Sequence, residues 1–154
     1  MKFLFVCTGN TCRSVMAEHL LKKMRGGRDI ETASAGIYAN PQFPIPSQVV
    51  KLLAEEGVSN LEHTPTPLDE RLITWADSIL VMERTHKKYI AEHFPQAAGK
   101  TFLLKEFGAE GPVSEKSRDV PDPIGSPENV YRECLEEIKN SLKNMLEKIS
   151  KSAN

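Results

Sequence analysis

Short apolar runs alternate with segments of helical periodicity in the first part of the chain. Residues Lys2 to Val6 form a β-rich run that ends in Cys7 and leads into a loop containing Gly and Asn. Apolar residues beyond this loop recur at helical spacing, which predicts a helix that stops at Arg25-Gly26-Gly27. A second strand is predicted over Ile30 to Ala35, closed by Gly36. The chain therefore opens as strand, helix, strand.

The same alternation continues after an irregular Pro-rich loop over Ile37 to Pro46. Ser47 is expected to cap a helix that ends at Gly57, and Thr85 is expected to cap another that runs to Phe94. The other predicted elements are a helix over 69–76 and strands over 78–82 and 101–104.

A long amphipathic helix closes the chain. Ser126, Pro127 and Glu128 are typical of an N-cap, a first helical position and an acidic first turn. The predicted apolar side consists of Val130, Cys134, Leu135, Ile138, Leu142, Met145, Leu146 and Ile149. The preceding stretch, Gly108 to Pro127, is polar with little predicted structure, and loops of this length are often functional.

Strands separated by helices favour a parallel sheet, because parallel neighbours need a crossover connection. The pattern predicts an α/β fold, a small doubly wound sheet of four parallel strands with helices on both faces. We expect residues 1–154 to form one domain. Ligands bind such sheets at the carboxyl ends of the strands.

Composition and charge restrict the classes of partner. The chain has 154 residues, of which 40% are hydrophobic and 27% charged, and its formal net charge is −1. No bulk positive field is available for nucleic acid or an anionic membrane. The apolar run Phe3 to Cys7 is too short for a signal segment or a membrane span. We expect a cytoplasmic monomer with no disulfide framework among its three cysteines.

The segment from Cys7 to Ser14 carries the strongest chemical signal. Cys7 and Arg13 bracket a loop between a strand and a helix, in which Gly9 and Asn10 tolerate positive φ. Backbone N–H groups of such a loop and the helix N-terminus converge on one anion, and an arginine binds two of its oxygens. The same partial charges favour the thiolate of Cys7, a nucleophile toward phosphorus.

Each of these residues also has a purely structural reading. An isolated Cys7 would be a buried residue at a strand end, and an isolated Arg13 a surface charge at a helix start. The strand, loop and helix around them favour a phosphate cradle instead. Ser14 fits two compatible roles, as an N-cap and as a hydroxyl that stabilises the Cys7 thiolate when it leaves.

A general acid is needed for the leaving group, and the long loop offers Asp119 and Asp122. Asp122 is the stronger candidate because Pro121 and Pro123 stiffen the turn around it, whereas Asp119 is expected to orient a neighbour. The alternative for Asp122 is a plain turn aspartate.

These motifs together resemble the low-molecular-weight protein phosphatase family over essentially the whole chain. The resemblance rests on Cys7 to Ser14 after the first strand, on Ser34-Ala35-Gly36 and on Asp122-Pro123-Ile124-Gly125. It implies that Cys7 is the nucleophile, that Asp122 is general acid and later base, and that water hydrolyses a phosphocysteine. No metal or cofactor is implied. The implied phosphate-binding residues are Thr8, Gly9, Asn10, Thr11, Cys12, Arg13 and Ser14.

Departures from the family pattern bear on substrate choice between phosphoarginine and phosphotyrosine. Val15 replaces a usual proline, with little consequence. Ile124 stands where many members have an aromatic residue, which removes a wall for a phosphotyrosyl ring. Thr11 resembles the bacterial protein-arginine-phosphatase branch, although it has the alternative of being merely a loop residue. Tyr38 and Phe43 remain possible stacking walls for a ring or a guanidinium.

The other cysteines and the histidines have less specific interpretations. Cys12 is expected to form a reversible disulfide with Cys7 that protects the nucleophile, or else to be a small buried loop residue. Cys134 falls on the apolar side of the last helix and is expected in the core. The histidines His19, His63, His86 and His93 are dispersed, form no ligand-like cluster with cysteines, and are expected to be surface or structural.

Two other function classes compete with the phosphatase. A thiol-dependent arsenate reductase would need a set of resolving cysteines, and Cys12 and Cys134 supply no exposed pair. A phosphate-binding module without turnover would gain nothing from the Asp122 carboxylate facing a phosphate. A protein phosphatase with phosphoprotein substrates and inorganic phosphate as product fits best, and a protein-tyrosine phosphatase proper is the main alternative.

Overall fold

A computed structural model describes all 154 residues and has a four-stranded sheet at its centre. The strands are β1 (Lys2–Cys7), β2 (Glu31–Gly36), β3 (Ser78–Val81) and β4 (Thr101–Leu103). Every neighbouring pair is parallel, and the spatial order is β2-β1-β3-β4. The predicted α/β class and the four parallel strands are therefore confirmed.

Helices cover both faces of this sheet. They are α1 (Arg13–Met24), α2 (Ser47–Glu55), α3 (Glu70–Trp75), α4 (Arg84–His93), α5 (Leu104–Phe107) and α6 (Glu128–Ser152), with 3₁₀ helices at Pro95–Lys100 and Glu115–Ser117. The short α5 and the 3₁₀ helix after α4 lack a sequence signal of their own. None of the helices combines the length and the apolar character that spanning a bilayer requires.

Alternate residues of β1 point to opposite faces of the sheet and pack in different buried clusters. Phe5 lies in one buried cluster with Leu20 of α1 and Leu142 of α6. Leu4 lies in the other cluster with Ile90 of α4. Full burial of such a side chain stabilises the fold by about 1.5–3 kcal/mol. Because successive side chains of a strand point to opposite faces, this central strand is buried on both sides.

The predicted caps of α2, α4 and α6 are wrong by one or two residues. Helix α4 has Glu83 as N-cap rather than Thr85. The His86 ring accepts the Glu83 N–H, which gives this backbone group at the N-terminus of the helix a hydrogen-bond partner. Helix α2 has Pro46 as N-cap, so Ser47 is already helical. Helix α6 has Pro127 as N-cap, because the Ser126 N–H turns back to bond a loop carbonyl.

The carboxyl ends of the two central strands are joined by hydrogen bonds to the loops that follow. Met82 N–H donates to the carbonyl of Val6 at 3.2 Å, and Val120 N–H donates to the carbonyl of Met82 at 2.8 Å. The long 108–127 loop is therefore tied to the end of β3. This pairing brings the second half of the loop to the phosphate loop, residues 8–12, at the end of β1.

Candidate active site

The phosphate loop is held in shape by the side chain of Asn10. Asn10 is fully buried and has a φ of 55°. Its amide nitrogen donates to the hydroxyls of Ser14 (2.7 Å) and Ser34 (3.0 Å). Its oxygen accepts from Thr66 N–H (2.9 Å) and from Nε2 of His63 (3.0 Å). Four hydrogen bonds thus offset the cost of a left-handed residue in the loop.

Gly36 lets the end of β2 touch the phosphate loop with its backbone. A Cβ at this position would lie 2.5 Å from the carbonyl oxygen of Thr8 and 2.9 Å from the nitrogen of Asn10. The following residues bond to the same segment, since Ile37 N–H donates to Cys7 and Tyr38 N–H donates to Thr8. Only glycine permits this close approach.

The thiol of Cys7 lies at the base of the loop, with its Sγ 2.9 Å from the hydroxyl oxygen of Ser14. Ser14 is the second residue of α1, and Cys12 occupies the N-cap, so the predicted capping role of Ser14 is wrong. Because the Ser14 oxygen accepts from Asn10, its own proton is free to point at the sulfur. The hydroxyl is therefore placed to stabilise a thiolate.

Arg13 is almost fully buried beside the loop, with 2% of its side chain exposed. Its Nη1 lies 2.8 Å from the Glu83 carboxylate and donates to the Val120 carbonyl at 2.9 Å. Its Nη2 lies 3.7 Å from the carboxylate of Asp122. Burial alone would lower the pKa of Arg13, but the charges of Cys7, Glu83 and Asp122 raise it above its ordinary value.

His86 supports the loop from the first turn of α4. Its Nδ1 accepts the Glu83 N–H at 3.0 Å, so the proton of a neutral ring is on Nε2, which donates to the Thr8 hydroxyl at 2.9 Å. Burial, and then the charge of Arg13, lower the pKa of His86 to about 4. The ring is therefore a neutral hydrogen-bonding group at physiological pH.

The two aspartates of the long loop have different surroundings. Asp122 is 43% exposed, and its Oδ1 accepts the Ile124 N–H at 3.1 Å. Asp119 instead accepts the Arg84 N–H at 2.9 Å and pairs with the Arg84 guanidinium. Of the two, Asp122 is the one within 4 Å of the Arg13 guanidinium.

The residues predicted to contact the leaving group differ in exposure. Thr11 is buried in the phosphate loop, with its hydroxyl 3.6 Å from the Cys12 sulfur. Tyr38, Phe43 and Ile124 are 69%, 58% and 56% exposed. Tyr38 adjoins the loop through its bond to Thr8, whereas no hydrogen bond joins Phe43 to the loop.

All three cysteines are free and buried. Burial raises the pKa of Cys12 to about 11 and that of Cys134 to about 12. Cys134 lies in the core cluster on the α6 side of the sheet, where the sequence predicts it.

Sequence reasoning missed several residues that support the loop. Glu83 and the Val120 carbonyl bind Arg13, although nothing in their local sequence marks them. His19 and His63, which are far apart along the chain, meet with ring centroids 5.7 Å apart. They lie beside Glu18, without a cysteine. A signal for such long-range contacts is absent from a single sequence.

Comparisons with known proteins agree with this geometry. Residues 2–154 match the family model of the low molecular weight phosphotyrosine protein phosphatase. A protein-arginine-phosphatase of Bacillus subtilis (strain 168) is 37% identical over 153 residues, covering 98% of each chain. A protein-arginine-phosphatase of Geobacillus stearothermophilus is 39% identical over 150 residues, covering 96% of this chain and 95% of the other.

A solved structure shows the same fold. It is a YwlE arginine phosphatase, a C7S mutant with a phosphorylated active-site serine, and it is 35% identical. The TM-score is 0.88, with 98% of this chain and 97% of the other covered. The chain therefore belongs to the low molecular weight phosphotyrosine protein phosphatase family and is a hydrolase of phosphoryl groups.

Proposed function

We propose that this phosphatase hydrolyses phosphoarginine residues in proteins through a phosphocysteine on Cys7. The observation that carries the proposal is the loop itself, in which the Cys7 thiol lies 2.9 Å from the Ser14 hydroxyl and the Arg13 guanidinium lies 3.7 Å from the Asp122 carboxylate. We further propose that it acts as a cytoplasmic monomer with a single domain over residues 1–154. Its partners would be phosphorylated proteins, with no nucleic acid or membrane involved.

The first step is attack of the Cys7 thiolate on phosphorus. The S–P bond forms, the bond from phosphorus to the leaving nitrogen breaks, and Asp122 supplies a proton to that nitrogen. Because Glu83 and Val120 already occupy Nη1 of Arg13, its Nε and Nη2 are the atoms left to bind the phosphoryl oxygens.

The second step is hydrolysis of the phosphocysteine. Asp122, now a carboxylate, takes a proton from water while the water oxygen bonds to phosphorus and the S–P bond breaks. The electron pair returns to Cys7, where the Ser14 hydroxyl stabilises the thiolate. Inorganic phosphate leaves, and neither step uses a metal or a cofactor.

Preference for phosphoarginine is supported by Thr11 and by the aliphatic Ile124. The hydroxyl of Thr11 offers a hydrogen bond near the leaving group, and Asp122, once it has given up its proton, offers a charge partner for the departing guanidinium. The names of the relatives at 37% and 39% identity point to the same substrate. The exposed rings of Tyr38 and Phe43 suit stacking on a phosphotyrosyl ring as well as on a guanidinium, so a protein-tyrosine phosphatase is the second candidate. The arsenate-reductase alternative gains no support, since every cysteine is buried.

The test compares kcat/KM on phosphoarginine and phosphotyrosine peptides of matched sequence. We expect the wild type to favour phosphoarginine and Thr11→Ile to shift the ratio toward phosphotyrosine by about tenfold, or about 1.4 kcal/mol of differential transition-state binding. Thr11→Ser keeps the hydroxyl and is the control, with a ratio near that of the wild type. A wild type that prefers phosphotyrosine would assign the protein to the tyrosine-phosphatase branch, and a ratio unchanged in Thr11→Ile would show that Thr11 does not set the preference.

A further inference from the structure

Glu18, His19 and His63 form a cluster outside the groups proposed for catalysis. Glu18 and His19 lie on α1, and His63 lies in the irregular segment after α2. One ligand atom from each residue lies within 4.8 Å of the others. The two imidazole rings are nearly perpendicular, at 82°. The cluster thus combines two nitrogen donors and one oxygen donor around a single point.

The contact between His19 and Glu18 lacks the geometry of a hydrogen bond. Nε2 of His19 lies 3.0 Å from Oε2 of Glu18, yet this nitrogen is buried and has no hydrogen-bond partner. Glu18 is itself 8% exposed. A buried nitrogen without a hydrogen-bond partner, 3.0 Å from a buried carboxylate oxygen, is an arrangement that a cation bound by both atoms would satisfy.

His63 is oriented by Asn10. The amide nitrogen of Asn10 donates to two hydroxyls, so its oxygen must accept and Nε2 of His63 must carry the proton. The lone pair of the neutral ring is then on Nδ1. A histidine that donates its second N–H to a carbonyl-type oxygen is the usual arrangement of a metal ligand.

We propose that Glu18, His19 and His63 bind one divalent transition-metal ion of the zinc class, with water as the fourth ligand. Zinc bonds imidazole and carboxylate at about 2.0–2.2 Å, which places tetrahedral ligand atoms about 3.3 Å apart. The His19–Glu18 separation of 3.0 Å is close to that value. His63, the third ligand, lies in an irregular segment rather than a helix, so its ring can approach the other two ligand atoms without disturbing α1.

The test titrates Zn²⁺ alone into a Cys7→Ser, Cys12→Ser protein, in which the loop thiols cannot bind the ion. Isothermal titration calorimetry is expected to show one zinc per chain. His19→Gln in the same background removes one ligand without touching Asn10, and we expect about tenfold or more weaker binding. The control is His93→Gln, an exposed histidine on α4, with unchanged affinity. Co²⁺ should give a tetrahedral d–d band without a thiolate charge-transfer band.

The outcomes separate a metal site from a simple ion pair. Absence of zinc binding, or equal binding by the His19→Gln protein, would overturn the proposal and identify Glu18 and His19 as a salt bridge. Glu18→Gln is a second variant of nearly the same shape and should show a similar loss. Circular dichroism of each variant checks that the fold is intact.

Discussion

The guanidinium of Arg13 and the carboxylate of Glu83 form an ion pair of 2.8 Å between Nη1 and Oε2. The arginine is buried and the glutamate is 28% exposed, so the pair extends from the interior to the surface. Because Nη1 is held, the rotation of the planar guanidinium is fixed. We therefore predict that Glu83 is a positioning residue that acts through Arg13.

Replacing Glu83 with Gln tests this role. The amide keeps a polar contact but loses the charge, and we expect kcat/KM to fall about tenfold or more, equivalent to about 1.4 kcal/mol. Binding of the phosphate mimic vanadate should weaken in parallel. Glu92→Gln, an exposed position on α4, is the control. A loss of stability in urea with unchanged kcat/KM and vanadate affinity would make Glu83 a structural residue only.

Asp122→Asn should lower kcat by about 10²–10⁴-fold, since general acid catalysis is lost. The loss should be smaller for aryl phosphates whose leaving group needs no proton, and acid quench of Asp122→Ala should trap the phosphoenzyme. Asp119→Asn is the matched control from the same loop and should retain most of the activity. An equal loss across leaving groups would contradict the assignment.

Reversible oxidation of Cys7 should depend on Cys12. Peroxide converts the Cys7 thiolate to a sulfenic acid, which condenses with the Cys12 thiol to a disulfide and water. Dithiothreitol should then restore the activity of the wild type but not that of Cys12→Ser, in which no disulfide prevents the over-oxidation of Cys7. Cys134→Ser should recover like the wild type. Full recovery of the Cys12→Ser protein would exclude the protective disulfide.

Stability should fall in mild acid because of His86. Its folded pKa of about 4 lies below the ordinary value of 6.5, so the unfolded chain binds more protons between these values. This contribution is present above about pH 6.5 and is lost as the pH falls toward 4. From pH 7 to pH 5 the expected loss is about 2 kcal/mol, measured by urea unfolding.

His86→Gln should remove that part of the pH dependence, while the exposed His93→Gln should keep it. The slope that remains in His86→Gln includes the contribution of His63, whose pKa is also lowered by burial. Identical pH profiles for wild type and His86→Gln would show that the ring is protonated as readily in the folded protein as in the unfolded one.

The sheet and the phosphate loop were predictable because their signals are local. A buried strand such as β1 is a continuous apolar run in the sequence. Gly9 and Asn10 are typical of a loop that reverses the chain before a helix. The helix caps were less predictable. At the N-terminus of α4 the ring of His86 accepts the Glu83 N–H, and histidine is not among the residues that ordinarily signal a helix start.

The support of the site could not be read from the sequence for a different reason. Glu83 reaches Arg13, and His63 reaches Asn10, only because the crossovers of the sheet bring distant segments together. No periodicity or spacing relates such residues along the chain. One sequence therefore indicates the reacting groups but not the side chains that orient them.

The backbone contact at Gly36 separates the shape of the phosphate loop from the exposed residues proposed to meet the substrate. The cradle owes its shape to main-chain atoms pressed against the end of β2 and to a buried amide, whereas Tyr38, Phe43 and Ile124 project from neighbouring loops. If these outer residues contact the leaving group as proposed, substitutions among them change substrate preference and leave the reaction centre intact. During evolution such enzymes would change their substrates more readily than the reaction that they catalyse.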